Sequence, residues 1–127
     1  MNIIAITGNV CKDIELKYTK NNKGYVENTL GVRKDKKDEN GNYESDFIDF
    51  VCFEKKAEFL KNYSKKGDKL EITGKLRVDT WKDEEGKSHT RSYVVVDKVN
   101  ILTARNTNIK NDATSTIFDI TEEDLPF

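Results

Sequence analysis

Apolar side chains fall on alternate positions through most of this chain, and one short stretch switches to a helical period. From Ile3 to Val10 the residues are apolar and rich in β-branched types. The pattern resumes after Lys12-Asp13 as Ile14-Glu-Leu-Lys-Tyr18, which predicts one long strand with a bend or bulge near Cys11–Asp13. Thr19 to Gly24 reads as a turn, Tyr25 to Lys34 as a second strand, and Asn40-Gly41 as a hairpin signal. Asp46 to Phe53 is a third strand, so the opening strands form a meander. Over Glu54 to Tyr63 the spacing of Ala57 with Leu60, and of Phe59 with Tyr63, predicts a short amphipathic helix ended by Lys65-Lys66-Gly67. Lys69 to Trp81 alternates again, with Leu70, Ile72, Leu76 and Val78 on the core face and Gly74 as a weak point. Asp83 to Lys87 is another hairpin turn, and Tyr93 to Leu102 is the last strand.

Three strands, a helix and two strands predict an all-β fold with one short helix. The matching architecture is a five-stranded OB-type barrel closed at one end by the helix. All-β sandwiches usually need more strands and no helix between them. The barrel is expected to span residues 1–105. The run from Arg105 to Thr116 is too polar to pack, and residues 106–118 are expected to form a flexible linker before a disordered acidic tail, 119–127.

Composition sharpens this. Charged residues make up 35% of the 127-residue chain, as do hydrophobic ones, so the core must be economical. The net charge of −1 hides an asymmetry: residues 1–105 carry 21 Lys and Arg against 18 Asp and Glu, while residues 106–127 carry 1 against 5. A mildly basic body joined to an acidic tail points to a polyanionic partner, with the tail as a competitor for the same surface. The two cysteines, Cys11 and Cys52, lie in or beside apolar runs and are expected to be buried free thiols in a reducing compartment. No signal peptide or membrane span is recognisable, so a cytoplasmic location is expected.

In the tail, Asp119, Glu122, Glu123 and Asp124 precede Leu125, Pro126 and Phe127. Carboxylates beside a conformationally restricted aromatic tip suit a short linear peptide that docks in a basic, apolar-floored pocket on another protein. In the body, the face of the Lys69–Trp81 strand away from the core carries Lys75, Arg77 and Trp81, and a merely solvated face needs no Trp. On the third strand Phe47 and Phe53 share one parity, and Ile48, Phe50 and Cys52 share the other. One set must line the core, and a single strand Phe is more often core than not. The set left outside would suit single-stranded nucleic acid, with bases stacking on rings and phosphates meeting Lys and Arg. His89 has no second His or Cys nearby and reads as a solvated loop residue. No phosphate-cradling loop or acid–base constellation is present, so neither catalysis nor a cofactor is expected.

Several segments carry a resemblance. They are Ile6-Thr-Gly-Asn9, Lys12 to Thr19, Thr29-Leu-Gly-Val32, Asp46-Phe-Ile48, Val51-Cys-Phe53 running into Lys56-Ala-Glu58, Asn62-Tyr63 with Lys66-Gly67, Gly74-Lys-Leu-Arg77 with Trp81, Tyr93 to Val96, and the final Asp124-Leu-Pro-Phe127. In order and spacing the chain resembles bacterial and bacteriophage single-stranded DNA-binding proteins. The resemblance implies a homotetramer around which single-stranded DNA wraps, with Phe47, Phe53 and Trp81 as base-stacking rings. It also implies replication, recombination and repair proteins as partners of the tail. Arg33, Lys34, Lys36, Lys75 and Arg77 are the candidate phosphate contacts. One departure stands out: a further stacking aromatic of the family falls near Lys36, where Tyr43 across the hairpin is a candidate substitute. An RNA-binding barrel and a non-catalytic interaction adaptor are the competing functions.

Overall fold

Alternation along β1 (Ile4–Val10) turns Ile4, Ile6 and Val10 toward the interior, and the computed structural model, which describes residues 1–103, places that strand at the seam of a closed sheet. It pairs antiparallel with β5 (Lys69–Lys82) from Ile4↔Gly74 to Asn9↔Lys69. Its end also pairs with β3 (Gly24–Lys37) at Asn9↔Gly31 and Val10↔Leu30. The expected single long first strand is instead two, because β2 is only Lys17–Tyr18. The cause is Asn28 on β3, which is buried and takes over the backbone groups at the corner. Its Oδ1 accepts from the Lys12 N–H at 3.2 Å, and its Nδ2 donates to the Lys12 carbonyl at 3.0 Å. Backbone groups leaving a ladder need partners, and this side chain supplies them where the chain turns.

β3 pairs antiparallel with β4 (Tyr43–Phe53), β4 lies parallel to β6 (Ser88–Ile101), and β6 pairs antiparallel with β5, which returns to β1. The circuit β1–β3–β4–β6–β5–β1 therefore has no open edge within the barrel, and β2 extends the first strand along β3. Inside lie Val26, Leu30, Phe50, Cys52, Leu70, Ile72, Val94 and Val99. The helix α1 (Glu54–Tyr63) adds Ala57, Phe59 and Leu60 to that core, with the Phe59 and Tyr63 rings 5.3 Å apart.

Both hairpins run further than their hydrophobic pattern indicates, and their tips have the same construction. In one, Asp38 Oδ1 accepts the N–H groups of Asn40 and Asn42. In the other, Asp83 Oδ1 accepts those of Glu85 and Lys87, all at 2.9 Å. Gly41 and Gly86 close these turns at φ of 82° and 83°, a backbone region that glycine enters at little cost. Leu76 and Val78, expected in the core, are exposed because β5 and β6 continue past the barrel as a two-stranded arm. The change comes at Gly74, where the ladder slips by one residue opposite Asp97. A Cβ on Gly74 would sit 2.1 Å from the Val95 carbonyl oxygen, so only glycine permits this approach.

Candidate nucleic-acid interface

Residues directly opposite on paired strands share a face of the sheet, so the register identifies the outer surface. On β5 and β6 the pairs Trp81↔His89, Asp79↔Arg91, Arg77↔Tyr93 and Lys75↔Val95 lie together. Val95 neighbours Val51 on β4, and Val51 shares parity with Phe47 and Phe53. Those in turn lie opposite Gly31 and Tyr25 on β3. Side-chain contacts cross the same surface. Arg91 of β6 reaches Asp49 of β4 at 3.7 Å and Glu27 of β3 at 4.0 Å, and the Thr29 hydroxyl donates to Asp49 at 2.7 Å. Phe47, Phe53 and Trp81 therefore occupy one continuous outer face, β5–β6–β4–β3.

All three rings meet solvent: Phe47 is 71% exposed, Trp81 48% and Phe53 40%. Phe50, between the first two in sequence, is 1% exposed, so the two parities of β4 divide into an outer and an inner set. Phe47 is the barest because its cross-strand neighbour is Gly31, which has no side chain to shield it. Phe53 sits where β4 ends and Glu54 enters the left-handed region at φ 54°, turning the chain into α1. Its ring lies 6.4 Å from that of Tyr25 and borders an open cleft of about 510 Å³ edged by Tyr18, Lys23, Lys55 and Lys56. Phe47 and Phe53 are six residue steps apart along extended strand, about 20 Å, room for several nucleotides between them.

The candidate cations differ in placement. Lys75 and Arg77 are exposed on the outer face, with no ion pair among the described residues. Arg33 is on that face too, its guanidinium 4.3 Å from the centre of the Tyr43 ring, with Lys37 5.3 Å from the same ring. Tyr43 is thus held between two cations in the β3–β4 arm. Lys34 has the opposite parity and lies 3.4 Å from Asp46 and 3.7 Å from Glu44, so two carboxylates already offset its charge. Lys36 is exposed in the stretch where the β3–β4 register slips between Arg33 and Lys37. The tail residues Asp119, Glu122, Glu123, Asp124, Leu125, Pro126 and Phe127 lie outside the described residues.

Sequence reasoning missed Tyr25, His89, Arg91 and Tyr93 on this face. His89 is exposed, as expected, but lies in no loop: it is the second residue of β6. Its ring stacks on Trp81 at 5.6 Å and 23°, and its Nε2 lies 2.7 Å from Asp83 Oδ2. That contact, with the backbone N–H groups of the turn, holds the Asp83 carboxyl below its ordinary pKa. Tyr93 donates its hydroxyl to Asp79 at 3.0 Å, which raises the phenol's pKa and keeps it protonated. Arg91 is the internal counter-ion of Glu27 and Asp49, without which two carboxylates near the centre of the face would repel phosphate. The only available signal was cross-strand register, which a sequence does not print.

Of the two thiols, Cys52 is buried and burial pushes it up to about pKa 12, so it is unreactive. Cys11 is only half-buried, its Sγ 3.6 Å from the Asn9 carbonyl oxygen. Among the described residues no His, Cys, Asp and Glu cluster could hold a metal, and no helix is long and apolar enough to cross a membrane.

The model of the single-strand binding protein family matches residues 1–102. Single-stranded DNA-binding protein 3 of Streptococcus agalactiae serotype V is 32% identical, over 100% of this chain and 99% of its own length. Single-stranded DNA-binding protein 1 of Streptococcus pyogenes serotype M18 is 34% identical over the same shares. The single-stranded DNA-binding protein of Streptococcus mutans serotype c is 36% identical, over 84% of this chain and 65% of the relative.

Proposed function

This chain belongs to the single-strand binding protein family, and on that premise we propose that it binds single-stranded DNA with little sequence preference and shields it during replication, recombination and repair. It acts as a binding protein, not an enzyme. The observation that carries the reading is the continuous outer face on which Phe47, Phe53 and Trp81 are exposed and Lys75, Arg77 and Arg33 stand beside them. Every base has a π-face, so exposed rings accept any sequence, and the cations follow the phosphates. Lys34 and Lys36 belong to the phosphate path only as its outer margin, Lys34 being tied to Glu44 and Asp46.

A homotetramer is supported by the exposed Leu76 and Val78 of the β5–β6 arm, apolar surface that a second copy would cover. Recruitment of replication and repair proteins through Asp119–Phe127 is supported by the residues of that segment alone: carboxylates, Pro126 and Phe127. The cytoplasm, where free thiols persist, is the proposed location.

Trp81 is the only Trp in the chain, so its emission reports on one point of the face. Oligo(dT) is expected to quench it, and log affinity is expected to fall with log salt at about −0.7 per phosphate neutralised. Affinity indifferent to salt, or unchanged emission at saturation, would remove the mechanism. Deleting residues 119–127 is expected to abolish capture of partner proteins while oligo(dT) affinity stays the same or rises slightly. A large loss of DNA binding would contradict the assignment of the tail.

A further inference from the structure

The open cleft beside Phe53 lies where the outer face meets the end of the barrel. Lys17, Tyr25 and Phe53 form one row across β2, β3 and β4, on the outer side. Tyr18 and Gly24 form the next row and turn the other way. The β2–β3 ladder stops there, and Tyr18 is not part of the core cluster. Its ring leans over Gly24 instead, with Cε1 3.6 Å from the place a Cβ on that glycine would take. Tyr18 is 60% exposed, and of the described Phe, Tyr and Trp residues only Phe47 is barer. Among the described residues its side chain has no hydrogen bond, ring contact or cation contact. Packing within the protomer therefore gives this ring no role.

The cleft's other residues are set by fixed backbone. On one side the Thr19 N–H donates to the Lys23 carbonyl at 2.9 Å, and the Lys23 N–H donates to Thr19 Oγ1 at 3.1 Å. That closed turn holds Lys23 at the rim. On the other side Glu54, at φ 54°, bends β4 into α1 and sets Lys55 there. Lys23 and Lys55 are exposed and form no ion pair among the described residues. With Lys56 they outnumber the cleft's two carboxylates, Glu54 and Glu58, so the local field favours an anion. Its volume of about 510 Å³ is within the range of about 300–1,000 Å³ that small-ligand sites occupy, enough for a nucleotide. Phe53 belongs to the face and to the cleft alike, which makes the cleft a continuation of the face.

We propose that this cleft is a further nucleotide subsite: the strand stacked on Phe53 continues round the end of the barrel, one base lies on the Tyr18 ring, and Lys23 and Lys55 meet the phosphates beside it. The proposal rests on the single-stranded DNA reading above and extends its path beyond the outer face. A flat ring flanked by two cations supplies what one nucleotide needs, a stacking surface and counter-charges for its backbone. Because the contact is to the ring face, the Tyr18 hydroxyl is not required.

Three measurements on the full chain test this. Oligo(dT) carrying 5-iododeoxyuridine at successive positions is photocrosslinked, and mass spectrometry of the digest is expected to find a position joined to Tyr18. Labelled oligo(dT) is expected to bind Tyr18→Ala about fivefold or more weakly than the native protein, and Tyr18→Phe within about twofold of it. Lys23→Ala and Lys55→Ala are each expected to flatten the salt slope by about 0.7. Urea midpoints of all four variants should match the native one, since these side chains are exposed. Native affinity in Tyr18→Ala overturns the inference, as does a Tyr18→Phe loss equal to that of Tyr18→Ala, absence of the crosslink, or unchanged salt slopes in both lysine variants. If Phe47→Ala weakens binding and Tyr18→Ala does not, the outer face stands and the cleft serves another ligand, such as an acidic peptide. If the native protein does not bind oligo(dT) at all, the broader function fails, an outcome distinct from these.

Discussion

Phe47 and Phe50 lie three residues apart on β4 and point to opposite sides of it, so truncating each should damage a different property. Phe47 is 71% exposed, which leaves roughly 30% of its surface covered. For a side chain of about 200 Å² that is some ~60 Å², worth about 1.5 kcal/mol of stability at ~25 cal/mol per Å². Phe50 is 1% exposed and surrounded by core, so Phe50→Ala should cost about 3–5 kcal/mol through lost burial and the cavity left behind. Binding should reverse the order. Losing one stacked base costs about 1–3 kcal/mol, roughly 5- to 150-fold in Kd, a range that itself comes from single-strand-binding barrels of this kind. Urea unfolding gives the first quantity and anisotropy of a labelled oligo(dT) the second. Phe47→Ala should keep most of its stability and lose affinity. Phe50→Ala, assayed where it remains folded, should lose stability and retain affinity. If Phe47→Ala proves as unstable as Phe50→Ala, or binds oligo(dT) like the native protein, the division of β4 into an outer and an inner face is wrong.

Gly74→Ala should destabilise by about 2–3 kcal/mol, because its Cβ would fall 2.1 Å from the Val95 carbonyl oxygen and backbone would have to move. Gly41→Ala, with open space around it but φ at 82°, should cost about 1 kcal/mol; equal urea midpoints for the two variants would contradict the close approach at Gly74. Cys52 supplies a pH test. Its pKa is raised from 9.0 to about 12 on folding, so the folded state holds the thiol proton more tightly. Its contribution is complete below about pH 9 and declines as pH rises from there toward 12, at up to about 1.4 kcal/mol per pH unit. Cys52→Ala should flatten the alkaline limb of a stability-versus-pH curve; an unchanged limb would refute the assignment. At pH 8 an alkylating reagent should modify Cys11 and spare Cys52 until urea unfolds the chain, and equal reactivity would show Cys52 to be accessible.

Much of the fold was legible because backbone geometry writes itself into local sequence. Strand side chains alternate and helical ones recur at three and four, so Leu70 and Ile72 announced a strand and Ala57 and Leu60 a helix without reference to anything distant. The element order and the barrel followed from those periods. The same local rule put Phe47 with Phe53 and opposed them to Phe50, but it could not say which set was inside, since both are apolar. There the family resemblance, not the alternation, favoured the exposed choice.

Tertiary structure decided what depends on neighbours far along the chain. Asn28 broke the first strand because its amide reaches Lys12 across sixteen residues, a partnership no window around residue 12 contains. Leu76 and Val78 continued a correct apolar alternation past the point where a core exists to receive it. Arg91 found Glu27 and Asp49, and Trp81 found His89, through pairings of separate strands. Periodicity fixes where side chains point relative to their own strand. What they meet is settled only when the sheet closes, and the outer face is made of those meetings.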